Sequence, residues 1–483
     1  MRPDVKAAWI GICAHLAMYA WWIWADALLS DDYYLFATAP SFKSAETEMF
    51  RPLAAIAGDT LVAWLQGGAD AVYWAKALSL MLSSAFAGLL AASFARVTGS
   101  VSAGAAVALL VSSSPGIQIN SIWLITMINV PAYIAPVAIF LVLLTGQERS
   151  VTSRWVMVTV FCAVMTLMLL FYQLAAFMLA GLTAAYIVLS NDSRKNTVRI
   201  VVPLIVIAAV SMAVYLLALW IAISNGYVGS GRASGALTGV VSRLASVQAE
   251  RGLHWFNLFF TAKQSAIGML LFLVAGASID IWRNGKERAL RWGAATLITA
   301  GTLYVPAALN PFPNPSRLYS AGTIGVSGMV VASALAMFRE LPGKFQTLAR
   351  TLTVVAGFAL AVNSQAAGVI GIGLTKHAEL QYIRNQVSKQ DIADVWRVHL
   401  IPPPDKSEFW RQPIRDPADD MYVFRLCTYH VWAREGIVRF ALRYADPARR
   451  IQVTVGPDAP EESSGVAIVD MRPADRALFQ IPY

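Results

Sequence analysis

Apolar residues run nearly unbroken from Ala7 to Leu29 and then stop at Ser30, Asp31, Asp32, Tyr33 and Tyr34. A run of about 23 residues is long enough to cross a bilayer core as a helix and too long for the apolar stretch of a typical cleaved leader, so it reads as a retained first span. Further spans are read at 71–95, 101–113, 200–222, 263–282, 292–307, 318–338 and 348–370, with another between Asn120 and the basic loop at 146–154. The run from Trp155 to Leu189 lies between two basic loops and is too long for one helix. Two short helices turning at Tyr172 and Gln173 would fit it, with that pair on the outer face. A glutamine packed inside one tilted helix is the plainer alternative. The piece 52–66 is about 15 residues, short of the usual ~20 for a span, and reads as re-entrant or interfacial.

These choices rest on charge as well as length. Arg2 and Lys6 precede the first span and acids follow it, which puts the N-terminus inside and Asp31 and Asp32 outside. The loops at 146–154, 190–199, 283–291 and 339–350 are all basic and read as cytoplasmic, so working back from them puts Ser112–Asn120 outside. Only an even number of crossings then separates that loop from the acidic one, which is why 52–66 is denied a crossing. The expected fold is a polytopic α-helical membrane protein of about eleven transmembrane helices.

Beyond residue 375 the pattern changes to that of a soluble segment. Helix periodicity runs through Leu380, Ile383 and Val387, and strands are expected at Val395–Ile401, Tyr422–Leu426, Ile437–Leu442 and Ile451–Val455. The chain therefore divides into a transmembrane part, 1–375, with an outer loop at 30–51, and a small α/β extracytoplasmic domain, 376–483. That domain could bind the acceptor, and packing against the outer loops is the more cautious expectation.

Composition agrees with this division. The chain is 57% hydrophobic and 14% charged, with a mean hydropathy of +0.55. From Lys376 onward 15 basic residues balance 15 acidic ones, so the whole surplus of +9 belongs to the membrane part. This pattern suits cytoplasmic loops against anionic membrane lipid and argues against nucleic acid. Cys13, Cys162 and Cys427 are odd in number and scattered, and the five histidines have no metal-ligand spacing.

The candidate chemistry lies after the first span. An acidic pair at the end of a membrane helix faces the negative end of the helix dipole, so stability does not account for it. Solvated residues capping the boundary are the plain alternative. An amphipathic run, Leu35–Phe50, follows and leads into Arg51, Pro52 and Leu53. Further on, Asn310–Pro315 makes a proline-stiffened outer turn before Arg317, which a snorkelling side chain would equally explain. Transfer of a sugar from a lipid-linked phosphate needs a base for the acceptor hydroxyl and positive charge for the leaving phosphate. Asp31 or Asp32 could be the base. Arg51 and Arg317 could clamp the phosphate, because a planar guanidinium donates two parallel hydrogen bonds.

Asp31 and Asp32 after the first span, Arg51-Pro52-Leu53 closing the loop, Tyr172 with Gln173 between later helices, and Arg317 after a proline turn resemble the polyprenyl-phosphate-dependent glycosyltransferases of GT-C fold. Among these the order is most similar to the GtrII-type O-antigen glucosyltransferases, which have Gly-Arg-Pro-Leu where this chain has Phe50-Arg51-Pro52-Leu53. The resemblance implies an inverting, single-step transfer of a hexose, glucose by preference, from a polyprenyl-phosphate donor to a glycan or lipid acceptor such as O-antigen, a part of lipopolysaccharide in the cell envelope. It places the enzyme in a bacterial-type cytoplasmic membrane with the chemistry on the outer side. Asp31 or Asp32 would be the catalytic base, Asp31 favoured; Arg51 and Arg317 would bind the donor phosphate; Tyr33, Tyr172 and Gln173 would bind substrate. No cofactor is required for this chemistry. A divalent metal, Mg or Mn, could bridge the two acids and the phosphate, though two carboxylates alone make a poor site.

The rival reading is a transporter or lipid-linked-glycan flippase. It expects charges near mid-membrane, whereas Asp31, Asp32, Arg51 and Arg317 gather at one interface. Lys76 and Asp59 fit neither picture.

Overall fold

The computed structural model describes residues 1–26, 28, 32–33, 36, 50–65, 69–122, 124–146, 150–227, 263–309, 320–339, 342–343, 373–390, 397–403, 427–429, 431, 433–443, 451–460 and 465–474, with isolated positions between 359 and 369. The chain is mostly helical, and among the described residues seven helices are long and apolar enough to cross a membrane. Large apolar side chains such as Val156, Val160, Ile205, Leu216, Leu217, Trp220, Leu271 and Leu297 point outward from these helices. Such a surface suits hydrocarbon rather than water. The protein is membrane-embedded.

The helices are α1 (Pro3–Tyr19) continued by α2 (Trp21–Trp24), α3 (Pro52–Leu65), α4 (Ala69–Thr98), α5 (Val101–Ser112), α6 (Pro115–Ile122) and α7 (Val130–Thr145). They continue with α8 (Val151–Leu169), α9 (Ala175–Leu189), α10 (Arg194–Ser224), α11 (Lys263–Leu309) and α12 (Ser320–Phe338). Pro52 and Pro115 stand first in α3 and α6, where the missing N–H has no helical partner to lose. Backbones approach closely where small residues meet. A Cβ on Gly181 would overlap Ala321 of α12, and one on Gly328 would overlap Ala185 of α9, so these two helices pack through a small-residue seam.

The chain reverses within α11. The Asp280 carboxylate accepts from Trp292 Nε1 at 2.8 Å, yet twelve residues of straight helix would separate them by about 18 Å. Gly285, at φ +71°, makes the reversal. The basic loop expected at 283–291 is therefore helical on both sides of one glycine. Arg288 pairs with Asp280 at 2.5 Å and donates to the carbonyls of Val188 and Ser190, while Arg291 donates to Ser190 and Asp192. Two cations thus satisfy the open C-terminus of α9.

This basic cluster marks one end of the bundle. Arg96 holds Asp4 at 2.9 Å, so the N-terminus, which begins α1, lies beside the end of α4. Lys76, about two turns into α4, donates to the Ala25 carbonyl just past α2 at 2.7 Å, so α1–α2 and α4 are antiparallel. α3 touches α4 and the 3-10 turn Leu124–Asn129. Fourteen residues give it about 21 Å, and its Ile56, Asp59, Thr60 and Trp64 are exposed. It is shorter than the seven long apolar helices, and Asp59 is exposed on it.

Two expectations for the bundle need correction. The outer loop expected at Ser112–Asn120 is mostly helical and buried: Ser112, Ser113, Ser114 and Gln118 are all within 2% exposure. The hydroxyls of Ser113 and Ser114 donate to backbone carbonyls of the preceding turn, and Ser112 is met by side chains of the first helix. His15 Nδ1 contacts Ser112 Oγ at 3.1 Å, its Nε2 contacts Ser121 Oγ at 3.2 Å, and Tyr19 donates to the Ser112 carbonyl. Secondly, the first helix ends at Trp24 rather than Leu29. The run Leu35–Phe50 lies outside the described residues except Phe36 and Phe50, as does most of the span expected at 348–370.

Beyond it, α13 (Thr375–Ser388) and α14 (Arg434–Arg443) flank a three-stranded parallel sheet of β1 (Arg397–Ile401), β2 (Gln452–Val455) and β3 (Val466–Asp470). The order is β2-β1-β3, with Arg397 opposite Gln452 on one side and Val466 on the other. β1 and β2 lie where the sequence puts them, β3 was not anticipated, and Tyr422–Leu426 falls outside the described residues. The strand expected at Ile437–Leu442 is instead helix α14. Ile437, Val438, Ala441 and Leu442 are buried while Glu435 pairs with Arg439 one turn on, a 3.6-residue period that outweighs the β-branched side chains.

Candidate functional site

Arg51 stands immediately before α3, at the end of the bundle away from the basic cluster, and three elements distant in sequence converge on it. Its Nε donates to Gln173 Oε1 at 2.7 Å, and its guanidinium carbon lies 4.7 Å from the centre of the Tyr172 ring. Gln173 Nε2 donates to the Tyr215 hydroxyl at 2.8 Å, and that hydroxyl donates to the carbonyl of Phe50 at 3.4 Å. The hydrogen bonds close a ring from Arg51 through α8–α9 and α10 back to the residue before it. Every polar atom in the ring has one fixed role, so the amide orientation of Gln173 follows from its partners.

The break between α8 and α9 makes this convergence available. α8 ends at Leu169, Tyr172 N donates to the Met168 carbonyl, and α9 begins at Ala175. The expected pair of short helices is what the structure contains. Tyr172 is buried, however, rather than turned outward: its other neighbour is Tyr133 of α7, at 5.7 Å in an edge contact, and Tyr133 meets Phe86 of α4. A cation stacked on a ring in this way gains about 0.5–2 kcal/mol. Gln173 and Tyr172 orient the Arg51 side chain.

Phe50 carries φ +52°, and it has the one positive φ among the described non-glycine residues. Left-handed backbone costs a residue with a Cβ about 1 kcal/mol or more. Its ring packs on Tyr215 at 5.6 Å, which offsets part of that cost. Glycine would adopt this conformation freely.

The acidic pair lies in a second cluster. Asp32 is fully buried, and its Oδ2 accepts from the Leu124 N–H at 3.2 Å. Lys76 is buried beside it, 4.3 Å from the centre of the Trp22 ring, with Asp32 and Asp26 as electrostatic partners. Asp31 and Arg317 lie outside the described residues. Tyr33 is in the same loop as Asp32 but is fully buried, with its ring 5.4 Å from Phe440 of α14 and its hydroxyl accepting from the Leu28 N–H. Burial holds its phenol well above the usual tyrosine range and so neutral. It belongs to a different packed core from Tyr172. Among the described residues Tyr33 packs against Phe440 and Leu28, away from the ring around Arg51.

Arg51, Tyr172 and Gln173 are thus brought together as the sequence suggested, and Tyr215, Phe50 and Lys76 are added. Tyr215 gives no sequence signal within an apolar helix. Lys76 does: a lone cation in a long apolar helix has to find a partner. Among the described residues no three His, Cys, Asp or Glu side chains are grouped to hold a metal ion. No known family model and no curated protein matches the chain.

Proposed function

We propose that the chain is an inverting glycosyltransferase of the GT-C kind, moving a hexose from a polyprenyl-phosphate donor to a glycan or lipid acceptor. The observation that carries this reading is the ring around Arg51. A guanidinium is held at one end of a membrane bundle by a neutral amide and a tyrosine face, which fix its direction. That is what a phosphate-binding group requires before the substrate arrives. The positive φ at Phe50 adds to it, since the GtrII-type enzymes that this order resembles carry glycine at that place.

In the proposed reaction a carboxylate of the acidic loop, Asp31 by preference, takes the proton of the acceptor hydroxyl. The freed oxygen attacks the anomeric carbon from the face opposite the phosphate. The bond from that carbon to the phosphate oxygen breaks, and polyprenyl phosphate leaves with the bonding pair. Arg51, with Arg317, offsets the charge that develops on the leaving oxygen. Asp32, engaged by Leu124 N–H and the Lys76 charge, anchors the loop. The cluster of Arg288, Arg291, Arg194, Lys195 and Arg199 at the opposite end supports a cytoplasmic assignment there, which leaves the Arg51 end outside the membrane.

The test is transfer from a radiolabelled polyprenyl-phosphate hexose by the purified protein with a panel of acceptors, against the Asp31→Asn/Asp32→Asn double variant. Sugar transfer or release that vanishes in the double variant is expected. No turnover of any donor, with lipid binding retained, would favour a flippase.

A further inference from the structure

The C-terminal part has soluble composition, yet its described residues pack against the stretch that follows the first helix. Arg384 of α13 donates to Asp26 at 2.6 Å, and the Cys427 thiol faces the Leu28 carbonyl at 3.9 Å. The rings of Tyr33 and Phe36 both meet Phe440 of α14 edge-on, at 5.4 and 5.1 Å. Gly436 faces the Tyr33 carbonyl oxygen so closely that a Cβ there would overlap it. The turn Cys427–Tyr429 is held in turn by Glu379 of α13, whose buried carboxylate accepts from Cys427 N, Thr428 N and Thr428 Oγ1 at 2.7, 2.9 and 2.8 Å.

From the bundle side the same short stretch is held by Lys76 on the Ala25 carbonyl and by Leu124 N–H on Asp32. Contacts alternate along it: Ala25 to the bundle, Asp26 and Leu28 to the C-terminal layer, Asp32 to the bundle, Tyr33 to the layer. A loop gripped alternately from two sides has its carboxylates placed by both.

We infer that the layer of α13, α14 and the Cys427 turn is the outer wall of the acidic loop and sets the position of Asp32, with Gly436, Phe440 and Arg384 as positioning residues. This deepens the proposed function, since it assigns the C-terminal part a role at that same site, but its test is independent of any transfer reaction. Two native groups report on it. Cys427 is fully buried beneath the loop, and the Leu124 N–H is hydrogen-bonded to Asp32.

In a Cys13→Ser/Cys162→Ser background, maleimide labelling of Cys427 and hydrogen exchange of the peptide containing Leu124 are measured with and without Gly436→Ala. The added methyl should push Tyr33 away, so Cys427 labelling and Leu124 exchange should both accelerate at least tenfold. Peptides within α4 and α9 should keep their protection, which separates loop displacement from unfolding. Phe440→Leu, a gentler change, should move both readouts the same way by less. Faster Cys427 labelling with unchanged Leu124 exchange would overturn the inference, because the layer would then cover the loop without positioning it. No change in either readout would overturn the contact itself. Absence of glycosyl transfer in the wild type would sink the proposed function and leave both readouts standing.

Discussion

The two ends of the helix bundle hold arginine in opposite ways. At one end Arg288 and Arg291 are surrounded by a carboxylate and four carbonyl contacts on the end of α9, so their charge is absorbed by the fold. At the other end the ring holds Arg51 through an uncharged amide and an aromatic face, which give it direction. Residue type is the same in the two places. The contrast lies in what orients each side chain: backbone carbonyls and a buried carboxylate at one end, the side chains of a helix break at the other.

Substitutions should separate the two. Arg288→Ala leaves Asp280 buried opposite Trp292 without its cation, and losing one partner of a buried pair typically costs about 3–5 kcal/mol. A large drop in thermal midpoint is expected in detergent, with the specific activity of the protein that remains folded unchanged. A loss of activity without loss of stability would reverse the assignment of the two ends. Arg51→Ala should do the opposite: a rate of transfer lower by about 10²–10³, the range for removing one donor to developing charge, with a midpoint close to wild type. Arg51→Lys should recover little of it, because an ammonium cannot hold both the Gln173 oxygen and a phosphate in one plane.

Gln173→Leu tests how Arg51 is aimed. It removes the acceptor for Nε and the donor for Tyr215 together, so about tenfold weaker use of donor is expected, read as a rise in KM at nearly constant kcat. Phe50→Gly should have the smallest effect. It relieves backbone strain of about 1 kcal/mol and loses the packing on Tyr215, so the midpoint should move little and activity should persist. Phe50→Ala keeps the strain and loses the ring, and should be the less stable of the pair by chemical or thermal denaturation.

How much of this was legible beforehand follows from what each pattern can encode. Long apolar runs bounded by charge announce spans, and charge parity together with its short length kept 52–66 from being counted as one. Arg51, Tyr172 and Gln173 could be named because each interrupts an apolar pattern where a polar group needs a reason. Tyr215 could not, since a tyrosine in a lipid-facing helix has an ordinary explanation. Ile437 and Val438 misled because a short amphipathic helix and a strand share the same few apolar residues, and only Glu435 with Arg439 one turn later argued for helix. Tyr33 was expected at substrate for its place beside two acids. The layer that buries it comes from residues some 400 positions later, and no local pattern could show that contact.

The central claim is that Arg51, aimed by Gln173 and Tyr172, binds a lipid-linked phosphate, and equilibrium binding of polyprenyl phosphate without its sugar tests it most directly. Arg51→Gln should weaken binding by tenfold or more, while Asp31→Asn alone should bind as the wild type does. Equal affinity of wild type and Arg51→Gln would contradict the account and return Arg51 to a purely structural role at the start of α3.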